Sequence, residues 1–364
     1  PSLPQSPRPL GRARSRSGDH TGETAGPGLT ASSCLAPHLR DFGMDASHLV
    51  PTIDIAQPDD AMLAALDLAC RDHGFFLLSG HGLDDLIGAT WDRARAFFES
   101  PRDRKVAVMR DADNPLGYYD RELTKRKRDS KEVFDFVDPV AERSAVHNRW
   151  PAEVDATAGF QRGMVEFFDA FSELAERTTA LVHAALGLGA DDVAEFRGDR
   201  TNSSVRLNHY PVGDPVPVDE RDGLRELGET ALGYHTDPGV LTLLLQDGTG
   251  GLQAQAADGT WVDIVPTPGT IVVNLADAMQ VWSNDRYRAA VHRVVSMTAT
   301  DRLSIPYFLN PQRDALIKPI AALASTPRYR PFTWRSYMQA RTDDNYADLG
   351  ADDTQITDYR LVDS

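Results

Sequence analysis

The sequence predicts a mixed α and β protein: a largely helical first half, then short strands that form a double-sheet jelly roll or barrel. Three observations lead there. Apolar residues recur at helical spacing through 59–73, 84–99 and 158–187. After residue 200 the pattern changes to short β-rich runs separated by turn residues. The chain has 364 residues, 41% hydrophobic and 25% charged, enough for one large domain or two modest ones.

Taken in order, a disordered leader is expected over residues 1–47. Residues 1–43 are crowded with Pro, Gly, Ser and Arg and show no hydrophobic period. Their composition fits an organellar transit peptide or an upstream translated leader, with Met44 just before the first ordered-looking segment. Val50–Ile55 reads as a short strand. Residues 59–73 read as a helix with Met62, Leu63, Leu66, Leu68 and Ala69 on its apolar face. Gly74–Leu78 reads as a buried strand ended by Ser79-Gly80-His81-Gly82, and 84–99 as a second helix. Residues 101–157 look irregular and polar, with aromatics spread through them. The helix at 158–187 carries Phe160, Met164, Phe167, Phe168, Phe171 and Leu174, and is stopped by Gly187 and Gly189. Strands are expected at Val205–Tyr210, Leu241–Gln246, Leu252–Ala256, Trp261–Ile264, Thr270–Leu275, Ala289–Ser296 and Leu303–Leu309. Asp247-Gly248, Asp258-Gly259 and Pro268-Gly269 supply turns. The implied division is an amino-terminal domain over 48–157, a scaffold helix and linker over 158–200, a core over 201–312 and a tail over 313–364. The basic run Lys125–Arg128 reads as a solvated face, or as a gate for an acidic substrate. The charged insertion at 213–231 reads as a lid or a plain surface loop.

The formal charge is −16, from 54 acidic and 38 basic residues, which disfavours wrapping a nucleic-acid backbone. No run approaches the roughly 18 apolar residues of a membrane span. The two cysteines, Cys34 and Cys70, cannot make a disulfide framework or a four-thiolate zinc site. A reducing, cytoplasmic location is expected, or an organelle if the leader is a transit peptide.

The sharpest chemical pattern is His235-Thr236-Asp237. In an extended segment, residues two apart share a face, so the imidazole and the carboxylate can converge on one ion. A third ligand is available in His292, which lies in the apolar run Ala289–Val295. A histidine in such a run is otherwise a hydrogen-bonded core residue. Two histidines and one carboxylate make the facial triad of non-haem iron oxygenases, which leaves positions open for an oxoacid and O2. Arg302 and Ser304 share a strand face, and a guanidinium beside a hydroxyl suits a carboxylate. Asn208 and Tyr210 offer an amide and a phenol in the same two-apart geometry.

These stretches together resemble the isopenicillin N synthase-like branch of the Fe(II)/2-oxoglutarate-dependent dioxygenases. The matching segments are Arg206–Pro211, Gly233–Gly239, Gly251–Gln253, Asn274–Asn284, His292–Val294 and Arg302–Phe308. Val50–Ile55, Asp72–Gly82 and Lys131–Phe134 match the family's leading domain, so the likeness covers about residues 48–340. The resemblance implies a double-stranded β-helix (jelly roll) core with a helical amino-terminal domain and flanking helices. It implies Fe(II) on His235, Asp237 and His292. It places 2-oxoglutarate on Arg302 and Ser304, with Tyr210 assisting and Asn208 near the oxoacid, and allows ascorbate as an accessory reductant. Ala276 replaces the glycine often found before Asp277. The implied reaction consumes O2 and 2-oxoglutarate, releases succinate and CO2, and hydroxylates, desaturates or cyclises a small metabolite at a C–H bond. The alternative is an oxidase of the same fold that uses no 2-oxoglutarate. Arg206 stands where the aminocyclopropane-carboxylate oxidases carry a functional lysine. Tyr118, Tyr119, Phe134, Arg206, Thr236, Leu243, Trp282, Tyr307 and Phe308 are the candidate substrate contacts. Oligomeric state is not legible.

Overall fold

The computed structural model describes residues 50–124, 127–140, 146–154, 157–347 and 354–361. The leader and residues 125–126 of the basic run lie outside the described residues. The first half opens with β1 (Thr52–Asp54), α1 (Asp60–Asp72), β2 (Phe75–Ser79) and α2 (Asp84–Phe98). The Asp59 carboxylate caps α1 by accepting from the Met62 amide at 2.7 Å. Gly74 ends the helix at φ +68, where a Cβ would strike the Arg288 carbonyl. Leu66, Ala69 and Cys70 face the core, whereas Leu68 is 53% exposed, one step off the buried stripe.

The segment expected to be irregular contains α3 (Arg102–Val106), β3 (Gly117–Tyr119), β4 (Leu123–Thr124), β5 (Lys127–Arg128) and β6 (Glu132–Val137). These strands are short and carry charges on both faces, which hides their period. The long helix is α4 (Phe160–Ala185). Then come β7 (Ser204–Tyr210), β8 (Thr230–His235), β9 (Leu241–Gln246), β10 (Leu252–Gln255), β11 (Trp261–Asp263) and β12 (Ile271–Leu275). They are followed by α5 (Asp277–Trp282), β13 (His292–Val295), β14 (Arg302–Leu309), β15 (Leu316–Ile317), β16 (Phe332–Thr333) and α6 (Trp334–Ala347).

Eight strands form one sheet in the order β1-β2-β12-β9-β14-β7-β6-β3, and four form a second in the order β11-β10-β13-β8. Strand alternation divides the large sheet cleanly. Phe75, Leu77, Leu244 and Val272 meet Ala231, Leu252, Ala254 and Val294 of the small sheet in one apolar cluster. The intervening residues Phe76, Leu78, Leu243, Val273, Ile305 and Tyr307 join Phe167, Phe168 and Phe171 of α4 on the other side. The result is a jelly roll with helices packed on one sheet. The amino-terminal half is part of it, because β6 pairs antiparallel with β7 from Glu132↔His209 to Val137↔Ser204. No helix among the described residues is long and apolar enough to cross a membrane.

Candidate active site

His235 ends β8 and His292 opens β13, and the two are direct cross-strand partners. Their rings lie 4.4 Å apart between centroids. Each ring is fixed through Nδ1 by a carbonyl two residues earlier, Gly233 at 2.8 Å and Ala290 at 3.2 Å. An Nδ1–H donated to a carbonyl leaves Nε2 with its lone pair, which is the coordinating tautomer. Asp237 follows β8 directly. Its Oδ2 accepts from the Thr242 hydroxyl at 2.6 Å and from the Asn274 amide at 2.7 Å. Its Oδ1 points at the two histidines, 3.6 Å from His235 Nε2 and 3.7 Å from His292 Nε2. All three ligand atoms lie within 4.8 Å of one another. Burial opposes charge on Asp237, but His292, His235 and Thr242 hold its carboxyl well below the usual range. Burial, then the neighbouring His235, pushes His292 down to about 4, so it is neutral at pH 7.

On β14, Arg302 lies opposite Tyr210 and Ser304 opposite Asn208. By the alternation above, all four face the space between the sheets. The Asn208 amide donates to Ser304 Oγ at 3.3 Å. Arg302 is 1% exposed, and none of its three guanidinium nitrogens has a hydrogen-bond partner among the described residues. Its cationic carbon sits 4.9 Å from the Tyr210 ring centroid. A buried cation with no counter-ion is costly, so this donor set fits a carboxylate ligand.

A cavity of about 160 Å³ opens beside His235. Glu122, Asp129, Lys131, Arg206, Tyr234 and Arg341 line it, with Thr354 and Gln355 from the carboxy-terminal end. Glu122 is the hub. It pairs with Arg110 at 2.9 Å, Arg206 at 2.8 Å and Lys131 at 3.0 Å. Burial opposes its charge, but Arg206, Lys131 and Arg110 hold it far below the usual carboxylate range.

The candidate substrate contacts divide by strand face. Tyr118 and Phe134 are fully buried against Phe97, on the helix side of the sheet. Leu243 and Tyr307 lie on that same side, where the Tyr307 hydroxyl is 2.9 Å from Ser172 Oγ. Trp282 packs against Phe196 and His183. These five are core residues and do not line the cavity: alternation turns the four strand residues to the helix face, and α5 buries Trp282. Tyr119 and Phe308 face the space between the sheets, half-buried, with the Arg110 guanidinium over Tyr119. Thr236 is buried between two of the clustered residues, and its carbonyl accepts from Arg341 at 2.9 Å. Arg206 reaches the cavity but is clamped by Asp135 and Glu122. Thr242, Asn274, Asp129 and Arg341 were not expected from sequence. Of these, only Asn274 left a signal, as the one polar residue in the apolar strand β12.

A jelly roll that gathers a His–Asp–His cluster at a cavity and buries an arginine unpaired among the described residues defines the class of non-haem metal oxygenases that consume an oxoacid. Comparison with known proteins agrees. Residues 201–311 match the model of the 2OG-Fe(II) oxygenase superfamily, and residues 50–153 match that of the non-haem dioxygenase in morphine synthesis N-terminal region. Gibberellin 20 oxidase 1 of Arabidopsis thaliana is 32% identical over 308 residues, covering 80% of this chain and 78% of that protein. The crystal structure of a full-length Neurospora crassa protein in complex with alpha-KG superposes with TM-score 0.71 at 26% identity, over 83% of this chain and 98% of that one. JOX2 in complex with 2OG, Fe and JA gives TM-score 0.67 at 28% identity, over 80% and 84%. The chain belongs to the Fe(II)/2-oxoglutarate-dependent dioxygenase family. It is an enzyme that uses Fe(II) and 2-oxoglutarate to oxidise a small molecule, and the oxidase reading without 2-oxoglutarate is not favoured.

Proposed function

We propose that His235, Asp237 and His292 hold the iron, and that Arg302 and Ser304 hold the distal carboxylate of 2-oxoglutarate. Tyr210 backs the guanidinium and Asn208 orients the Ser304 hydroxyl. The observation that carries this reading is the division of labour in Asp237. One oxygen is committed to Thr242 and Asn274, and the other faces both Nε2 atoms. Iron and 2-oxoglutarate held there would let O2 act as the oxidant, the oxoacid giving up two electrons as it leaves as succinate and CO2 and the substrate C–H bond giving up the other two. The protein holds the ligands in one geometry, fixes each imidazole through its Nδ1 and encloses the reacting C–H bond away from water. Tyr234 and Arg341, which line the cavity beside His235, are the residues placed to position that bond. The substrate is a metabolite rather than a nucleic acid, since the chain carries a charge of −16. The thiol of Cys70 is free and buried, which suits a reducing compartment.

Anaerobic titration with Fe(II) and then 2-oxoglutarate tests the assignment. The expected result is the weak visible charge-transfer band of an iron-bound oxoacid, abolished in His235→Ala and lost at modest cosubstrate in Arg302→Ala. A band that survives both substitutions overturns it.

A further inference from the structure

The cavity wall beside His235 is made of ion pairs, and most of its hydrogen-bonding capacity is already spent. Glu122 accepts from Arg110 and Arg206 on Oε1, and from Arg206 on Oε2, where Lys131 also pairs with it. Arg206 is held by Asp135 as well. Arg341 donates to Asp277, Tyr337 and the Thr236 carbonyl. Asp129 differs from all of these. It is 3% exposed and lines the same cavity. Its two partners, the Thr124 hydroxyl at 2.9 Å and the Lys131 ammonium at 3.3 Å, both approach Oδ2. No group among the described residues donates to Oδ1. Lys131 is shared with Glu122, at 3.0 Å, and burial, reinforced by Glu122, raises the Asp129 carboxyl above its ordinary range in spite of Lys131. A carboxylate oxygen that opens on the cavity and takes no donor from the described residues is placed to accept a charged N–H group of a bound molecule.

We infer that Asp129 anchors a protonated nitrogen of the substrate, so that the small molecule oxidised here bears an ammonium or guanidinium group. The inference rests on the proposed iron site, because His235 and Asp129 share one cavity. The cationic wall residues are already committed to carboxylates or to the Thr236 carbonyl. A substrate that brings its own cation therefore completes the wall without breaking an existing pair.

The test uses the full chain loaded anaerobically with Fe(II) and 2-oxoglutarate, the visible band first reporting that the iron site is intact. Lysine, arginine and putrescine are then compared with their N-acetylated or deaminated counterparts, by equilibrium dialysis and by succinate release in air. At least one cationic probe is expected to bind and to stimulate succinate release, its uncharged counterpart binding at least about tenfold more weakly. Asp129→Asn is expected to weaken that probe by about 10- to 100-fold with the band unchanged. Asp129→Glu, which keeps the charge, is expected to retain most of the binding and guards against a folding defect in the amide variant. Failure of every cationic probe, or equal affinity in wild type and Asp129→Asn, overturns the inference while leaving the iron site standing. Absence of the band removes the iron-site reading itself.

Discussion

Arg302 is a full charge enclosed with no counter-ion among the described residues, so on the proposed assignment it is expected to destabilise the protein until 2-oxoglutarate arrives. Arg302→Met should therefore raise the thermal midpoint of the cosubstrate-free protein by a few degrees, at about 1–2 °C per kcal/mol for a chain of this size. It should also abolish the further rise that 2-oxoglutarate gives the wild type. A scan with and without the oxoacid reads both effects, and a lowered midpoint in the free variant contradicts the argument. Asn274 acts through Asp237 rather than on the metal. Asn274→Ala should weaken iron by about 10- to 100-fold, measured by chelator competition. At this scale the sequence was legible where type and local spacing decide placement, as they do in bringing His235 and Asp237 together and turning Arg302 and Ser304 to one face. Thr242 and Asn274 were hidden, because what matters in them is which carboxylate oxygen they reach across the sheet.

Among the elements, alternation was the information left unused. Arg302 and Ser304 share a face with Phe308, whereas Tyr307 must face the other way, and the same counting separates Leu243 from Thr242. The helices were legible because their apolar stripes are long. The strands β3 and β6 were not, because Glu132 and Asp135 carry ion pairs on opposite faces of one short run. On α4, burial pushes His183 down to about 4 from an ordinary value of 6.5. The unfolded chain takes up this proton near pH 6.5, while the folded chain resists until about pH 4. Stability is thus fully present above about pH 6.5 and is lost as pH falls towards 4, by up to about 3 kcal/mol. Urea midpoints at pH 7 and pH 5 should separate less in His183→Leu than in wild type; an unchanged separation contradicts this origin.

Across the whole molecule, the insertion at 213–231 is fastened down. Arg128 grips Asp214 through two bonds, at 2.9 and 2.6 Å, and is itself 4% exposed, so this part of the basic run is not a solvated face. Arg102 and Arg121 both hold Glu220 at 2.7 Å. Asp214→Asn leaves Arg128 buried with half its partner and should cost about 3 kcal/mol. It should also open 213–231 to limited proteolysis under conditions where the wild type resists. Equal cleavage rates would mean that the segment is already loose. Neither function of this segment could be read from its charges alone, since the partners lie about a hundred residues earlier. The placement of the cavity has a further consequence. The clustered histidines and Arg302 belong to strands of the two sheets, whereas Glu122, Thr124, Asp129, Tyr234, Thr354 and Gln355 come from short connections, a strand end and the carboxy-terminal segment. The two kinds of residue overlap only at Glu122 and Asp129, whose buried ion pairs also hold the wall together. A combinatorial library confined to 123–124, 234 and 354–355 therefore varies the cavity lining while those pairs and the sheet residues stay fixed, which makes this protein a favourable starting point for laboratory evolution.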